Sequence, residues 1–322
     1  MKTKILQYLL DANDYVSGQE ISNNLEVSRT AIWKHIKSLR EDGYEIKSVT
    51  NKGYKLILEP DLLNESQLQY GLKTYTIGKN IIHFKEIDST NEELKRQAKT
   101  NAPDGLVCTA ETQTKGKGRL SREWVSEYSK GIYASILLKP QISPMEVMSI
   151  TLISGLAICN SIKKVTGLDA TIKWPNDVLV NNKKVCGILT EMSAQTDIVD
   201  YIIIGVGINV NNTIFPDELK SKATSLFLES GKNVSRVELL KEVLYQIEIA
   251  TTEFITDCTY NLLKTYKENC VTIGKTVTVI RKDKEITGIA VDLSENGALI
   301  IETEQGQKME INSGEVTVQG IY

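Results

Sequence analysis

Histidine is almost missing from this 322-residue chain, which has only His35 and His83. A serine-histidine-aspartate triad or a histidine-ligated metal is therefore hard to assemble. The five cysteines, Cys108, Cys159, Cys186, Cys258 and Cys270, are odd in number and form no C-x-x-C pair. That sets zinc and redox chemistry aside and predicts free buried thiols. No run of eighteen apolar residues occurs, and the opening MKTKILQYLL has no signal-type cleavage region. Membrane spanning and secretion are not expected, and a cytoplasmic location is. What remains is ordinary globular composition, 41% hydrophobic with a net charge of -3, long enough for two or three domains.

Within the first sixty residues, Ile5, Leu6, Leu9 and Leu10 recur at helical spacing, and Ser17 with Glu20 has the separation of a capping box ahead of Ile21 and Leu25. Ser28 is placed to cap a third helix whose buried face is Ile32, Ile36 and Leu39, with Gly43 at its stop. YEIKSVTNKGYKL then reads as two strands joined around Asn51, Lys52 and Gly53. This is the order of a winged helix-turn-helix. From Arg29 to Lys55 there are seven basic residues against three acids, whereas residues 1 to 27 hold two lysines against four acids. Basic charge is thus segregated onto the recognition helix and wing, where Ser28, Arg29, Thr30, Lys34, Lys37 and Lys52 are candidates for DNA contact. A solvated face in a protein-interaction module would carry the same charges, and Trp33 is free to pack on the wing.

After the linker-like LEPDLLNES, IIHFKEID reads as a strand ending in DSTNEELKRQA. Ser89 and Glu92 sit at capping-box spacing, while Ser89, Thr90 and Asn91 group three small polar side chains where a polar ligand head binds. Next, AETQTKGKGRLSREW lies between two apparent strands, with Gly116 and Gly118 allowing close approach and Lys115, Lys117, Arg119 and Arg122 supplying charge for an anion. It fits neither a Walker loop nor a dinucleotide fingerprint, and a flexible solvated tip has similar composition. TIKWPNDVLV is a polar interruption of apolar sequence, with Lys173, Asn176 and Asp177 around Pro175. A carboxylate beside an amide suits hydrated Mg²⁺ carried by a nucleotide, and a plain turn is the alternative. VLVNNKKVCGIL reads as a hairpin through Asn181-Asn182, with Lys184 and Gly187 on the returning strand. YIIIGVGINVN places Gly205 and Gly207 inside a core strand, which predicts something packed against the backbone, and ends in Asn209 and Asn211. Residues 212–234 read as loop or short helix, a second flap.

DSTNEE, TKGKGRLSREW, KWPND, KKVCGIL and GVGINVN follow the order and spacing of the biotin protein ligases. With the winged helix in front, nearly the whole chain resembles the bifunctional members that are also biotin-operon repressors. One departure is Lys117, where the family's G-R-G-R loop has its first arginine: the charge stays and the planar fork is lost. The resemblance implies attack of biotin's carboxylate on the α-phosphate of ATP with Mg²⁺ present, then transfer from biotinyl-5′-adenylate to a lysine of a carboxylase's biotin carrier domain. No enzyme nucleophile is needed, in keeping with the scarcity of histidine.

By the same resemblance, biotin is bound by Ser89, Thr90, Asn91, Gln113, Gly116, Lys117, Gly118, Arg119, Lys184 and Gly187. The nucleotide falls to Lys117, Arg119, Arg122, Trp124, Lys173, Asn176, Asp177 and Asn209, with Lys184 and Arg119 catalytic and Asp177 a Mg²⁺ ligand. The partners implied are the carrier domain, operator DNA and a second copy in an adenylate-bound homodimer; no membrane partner is expected.

Beyond TIGKTVTVI, alternating apolar residues with turns at Lys282-Asp283, Glu295-Asn296-Gly297 and Gln305-Gly306 describe a small antiparallel barrel, similar to the family's SH3-like cap. The expected class is α+β: a winged helix-turn-helix over residues 1–62, a central mixed β-sheet with helices of biotin/lipoate ligase type over 63–270, and the SH3-like domain over 271–322. The competing functions are a non-enzymatic ligand-sensing transcription regulator and a lipoate ligase relative.

Overall fold

The structure is a computed structural model describing residues 1–195, 197–256, 259–281, 284–312 and 314–321. At the N-terminus lie α1 (Lys2–Leu10), α2 (Gly18–Leu25), α3 (Arg29–Glu41), β1 (Glu45–Val49) and β2 (Gly53–Leu58). Ser17 and Ser28 accept the third-residue amides of α2 and α3, as their spacing predicts. Asn51 and Gly53, both at positive φ, turn β1 into β2. Val16 pairs with Tyr54, adding a third short segment to the wing. Ile5, Leu6, Leu9, Ile21, Ile32, Ile36 and Leu39 form this unit's own core. Trp33 is 54% exposed, with the Lys37 ammonium 6.0 Å from its ring. Arg40 reaches to the wing, donating to the carbonyl of Ile46 and the hydroxyl of Ser48, and so fixes α3 to it.

After the short α4 (Glu65–Gln69), the central unit runs β3 (Ile81–Phe84), α5 (Thr90–Ala98), β4 (Val107–Ala110), β5 (Gly131–Leu138), α6 (Val147–Thr166), β6 (Ala170–Lys173), β7 (Asp177–Val180), β8 (Lys183–Gln195), β9 (Ile198–Asn209), α7 (Leu226–Ser230), α8 (Arg236–Ile255) and α9 (Thr259–Asn269). Its seven-stranded sheet has the order β3-β4-β5-β9-β8-β7-β6, parallel at β3/β4 and antiparallel elsewhere. The interruption at KWPND is a tight turn between β6 and β7 that contains the cis Trp174-Pro175 bond. Asn181 and Asn182, both at positive φ, make the hairpin from β7 to β8.

Residues 144–166 are long and apolar enough to cross a membrane by composition alone (mean hydropathy 1.5), but 67% of that window is buried. Ile150, Ile153, Leu156 and Ile158 of α6 join the central core, together with Leu240, Val243 and Leu244 of α8. Cys108, Cys159, Cys186 and Cys270 are buried free thiols, and Cys258 lies outside the described residues. Burial pushes the Cys159 thiol up to about 11.

Strands β10 (Thr276–Arg281), β11 (Lys284–Leu293), β12 (Leu299–Glu302), β13 (Lys308–Ile311) and β14 (Glu315–Val318) form an antiparallel sheet of order β13-β12-β11-β10-β14. Gly297 and Gly306, at positive φ, serve the turns expected there, while the expected Lys282-Asp283 turn lies outside the described residues. Val277, Val279, Ala290 and Leu299 belong to the same apolar cluster as α6, and Trp174 Nε1 donates to the Gly297 carbonyl at 3.0 Å. The C-terminal sheet therefore continues the central core.

Candidate active site

Three glycines prepare the floor of a cleft. Gly187 of β8 and Gly207 of β9 are direct cross-strand partners, and Gly205 lies two residues along. A Cβ on Gly207 would come within 2.5 Å of the Trp124 ring, one on Gly187 within 2.8 Å of the same ring, and one on Gly205 within 2.3 Å of Asn91 Oδ1. The glycines expected to admit a neighbour thus do so, and the neighbours are Trp124 and Asn91.

At one wall, α5 begins with Ser89, Thr90 and Asn91, all buried. The capping box expected there does not form: Ser89 makes no side-chain cap, and Glu92 instead accepts from Lys95 (2.9 Å) and Lys117 (2.7 Å). Two cations outcompete a backbone amide for that carboxylate, and they hold it below its ordinary range, Lys117 most strongly. Thr90 N and Oγ1 donate to Gln113 Oε1 at 2.9 and 3.2 Å. Asn91 donates to Glu191 (2.8 Å) and accepts from Ser135 (2.5 Å). Ser135, which also donates to Thr90 Oγ1 at 2.7 Å, and Glu191 therefore orient Thr90 and Asn91, roles that sequence reasoning missed. The one signal for Ser135 was a hydroxyl inside the apolar GIYASILL.

From the opposite side comes the segment between β4 and β5. Gly118 N donates to Arg122 O at 2.7 Å and Trp124 N to Gly116 O at 2.9 Å, folding the segment back on itself. Arg119 reaches across the cleft, donating to Asn176 Oδ1 (2.9 Å) and to the Gly314 carbonyl of the C-terminal sheet (3.2 Å). Asn176 is fixed in turn by donating to Ile188 O at 2.9 Å. The Lys184 ammonium stands 2.6 Å from Asp177 Oδ1 and 5.5 Å from the centre of the Trp124 ring. Its backbone is held at both groups: N donates to Lys222 O and O accepts from Thr224 N.

Among the expected site residues, Ser89, Thr90, Asn91, Gln113, Lys117, Gly118, Arg119, Trp124, Asn176, Lys184 and Gly187 line one cleft, joined by Gly205 and Gly207. Others do not line it, Asp177 among them, which meets the cleft through its ion pair with Lys184. Gly116 lies behind the segment, against Trp124 O. Arg122 is exposed beyond it. Lys173 is buried on β6, opposite Asp177. Asn209, expected to complete the site, instead donates to Thr224 O at 3.1 Å and so anchors the strand that braces Lys184. About 50 Å³ of the cleft is open to water, room for a water or two. Trp124 fills much of the rest, with its Nε1 buried and lacking a hydrogen-bond partner. An unsatisfied buried donor costs about 1–3 kcal/mol, which favours any rearrangement that supplies an acceptor.

Among the described residues, no group of three or more His, Cys, Asp or Glu is placed to hold a metal. Asp177, already facing Lys184, offers a single carboxylate. That fits Mg²⁺ only as an ion delivered on phosphate oxygens, which commonly uses one or two protein carboxylates and its own waters.

On the N-terminal unit, Ser28, Arg29, Thr30, Lys34 and Lys37 are exposed along α3 and Lys52 is exposed at the wing tip. Lys55 is tied to Asp14 at 3.1 Å.

Cations from separate segments over a glycine-floored cleft lined by neither histidine nor cysteine suit activation of an acid on a phosphate, without an enzyme nucleophile. Residues 83–209 match the Biotin/lipoate A/B protein ligase family, 2–55 the HTH domain and 272–318 the Biotin protein ligase C terminal domain. The chain is 39% identical over 298 residues to the Bifunctional ligase/repressor BirA of Bacillus subtilis (strain 168), covering 92% of each chain. It is 29% identical over 296 residues to that of Escherichia coli (strain K12), covering 92% of this chain and 91% of that one. The biotin protein ligase of Aquifex aeolicus, solved in complex with biotin and ATP, matches with TM-score 0.66 and 36% identity, covering 75% of this chain and 99% of that chain. The chain belongs to the biotin protein ligase family. Its winged helix sets it among the bifunctional ligase/repressors, which join biotin ligation to transcriptional repression.

Proposed function

We propose that the cleft binds biotin and ATP, joins them as biotinyl-5′-adenylate with release of pyrophosphate, and passes the biotinyl group to a lysine of a carboxylase's biotin carrier domain, releasing AMP. The observation that carries this is the convergence of Lys117, Arg119 and Lys184, from two separated chain segments, over the bare backbone of Gly187, Gly205 and Gly207. In the first step Lys184 lies against the biotin carboxylate and the α-phosphate, where its point charge stabilises the negative charge that builds up on the phosphorus oxygens. Arg119 leaves Asn176 Oδ1 and the Gly314 carbonyl for phosphate oxygens, with which its guanidinium forms charge-assisted hydrogen bonds. Lys117 leaves Glu92 for the same phosphates. Ser89, Thr90 and Gln113 take the biotin head, with Asn91 set by Ser135 and Glu191. Trp124 packs on the adenylate, and Asn176 and Asp177 face the nucleotide. Mg²⁺ arriving with ATP would be held by the phosphates and Asp177 and would neutralise phosphate charge.

Around this site we assign residues 1–62 to operator recognition, 63–270 to catalysis and 271–322 to an SH3-like cap, the C-terminal sheet being closed into a small barrel. The adenylate favours a homodimer that presents two winged helices to a two-part operator, because a ligand shifts such an equilibrium only by binding one state better. ATP and carrier substrates put the protein in the cytoplasm.

Incubation with ATP, Mg²⁺ and a carrier domain, with biotin or lipoate in parallel, tests the enzyme by the mass of the carrier. Biotinylation alone is expected; lipoylation would point to a lipoate ligase, and an unmodified carrier would leave a ligand-sensing regulator. Operator gel shifts that tighten with biotin and ATP are expected, and shifts indifferent to them would remove the regulatory half.

A further inference from the structure

Away from the cleft, one buried cation joins three parts of the chain. Arg236 begins α8 and is 1% exposed. The first turn of a helix disfavours positive charge, and a buried guanidinium is strongly disfavoured without partners, so its position requires a built environment. Nη1 donates to Glu111 Oε2 at 2.8 Å and to Gly131 O at 3.2 Å, Nε donates to Asp61 Oδ2 at 3.0 Å, and Nη2 donates to the Asp61 carbonyl. Glu111 is itself 0% exposed. It accepts from Leu63 N at 3.1 Å and Ser129 Oγ at 2.7 Å, and its carbonyl accepts from Ser129 N at 3.0 Å.

Glu111 and Gly131 bracket the segment that carries Gln113, Lys117, Arg119 and Trp124, while Asp61 and Leu63 lie on the connection from the winged helix to α4. We propose that Arg236 and Glu111 are positioning residues of the ligation reaction, fixing both stems of the 112–130 segment so that its cations meet the phosphate. This rests on the reaction assigned above. Packing alone does not call for the pair, since apolar side chains of similar volume often replace a buried ion pair without loss of stability. What the pair adds is directional bonding to Ser129, Gly131 and Leu63.

The test follows release of a supplied non-reactive biotinyl-adenylate analogue, together with thermal melting, for the parent, Ser129→Ala and the double variant Glu111→Leu/Arg236→Met. Ser129→Ala, losing one bond to a carboxylate, is expected to release the analogue about tenfold faster and to raise the KM for ATP, with the KM for carrier unchanged. The double variant is expected to melt near the parent and to release the analogue at least as fast as Ser129→Ala. Parent-like release by Ser129→Ala overturns the proposal, and so does a double variant that recovers melting and retention together. Should the double variant not fold, Ser129→Ala decides alone. A parent that binds no analogue overturns the assigned reaction and this proposal with it, whereas binding without a Ser129→Ala effect overturns the proposal only.

Discussion

Replacing Gly207 by alanine adds one methyl group where the structure has least room for it. The new Cβ would stand 2.5 Å from Trp124 Cε2 and 2.8 Å from both Cζ2 and Nε1. Ordinary carbon contacts begin about 1 Å farther out, so the indole must shift by roughly that much. The same ring also lies 2.8 Å from a Cβ position at the paired Gly187, so the shift has to lift it off the sheet. Overpacking of this kind costs about 1–3 kcal/mol, while alanine in a strand regains about 0.5–1 kcal/mol of the backbone entropy that glycine loses. The net cost to folding is therefore about 0–2.5 kcal/mol. Ligand binding has no such compensation, because the methyl group occupies the floor on which the adenylate lies and displaces the ring that packs on it. The expected loss of affinity is about 5- to 150-fold, following from 1–3 kcal/mol. Calorimetric titration of the parent and Gly207→Ala with a biotinyl-adenylate analogue, with thermal melting in parallel, reads both quantities. An unchanged affinity would refute the glycine floor, and a collapse of melting would show that the glycine serves folding.

Three further outcomes are expected. Lys184→Met should slow adenylate formation about 100-fold or more, the scale of removing one donor from a developing oxyanion; pyrophosphate exchange at parent-like rates would contradict its role. Lys34→Ala should weaken operator binding across sequences and lessen the slope of log affinity against log salt by about 1, and a slope equal to the parent's would take Lys34 off the phosphates. The Arg96 guanidinium, hydrogen-bonded to Asp88 at the strand end before the polar trio, holds that carboxyl at about 2. Because the folded value is depressed, this contribution to stability is present above the ordinary 3.8 and lost as pH falls through about 2. Arg96→Gln should raise the Asp88 titration seen by carboxyl NMR, and an unmoved midpoint would assign the depression to backbone donors.

What the sequence disclosed depended on the range of the interactions. Helix caps at Ser17 and Ser28, the Asn181-Asn182 hairpin and the winged-helix order were legible because their signals lie within a few residues. Gly205 and Gly207 announced a close neighbour, since a core strand does not otherwise favour glycine; only the fold could name Trp124 and Asn91 as the neighbours. Glu92 misled because Lys117, twenty-five residues away, takes the carboxylate that local spacing assigned to a cap. Asn209 was placed by motif at the ligand, whereas its amide serves Thr224. Asp61, Glu111 and Arg236 are separated by 50 and 125 residues, and nothing local to any of them marks the ion pairs they form.

The central claim is that Arg119 and Lys184 are cations for the phosphate of an activated acid. A crystal structure with biotinyl-5′-adenylate bound tests it most directly. It should show Arg119 released from Asn176 and Gly314 onto phosphate oxygens, Lys184 at the acyl-phosphate junction and Trp124 against the nucleotide. An adenylate seated elsewhere, with Trp124 still filling the glycine floor and Arg119 still on Asn176, would contradict it.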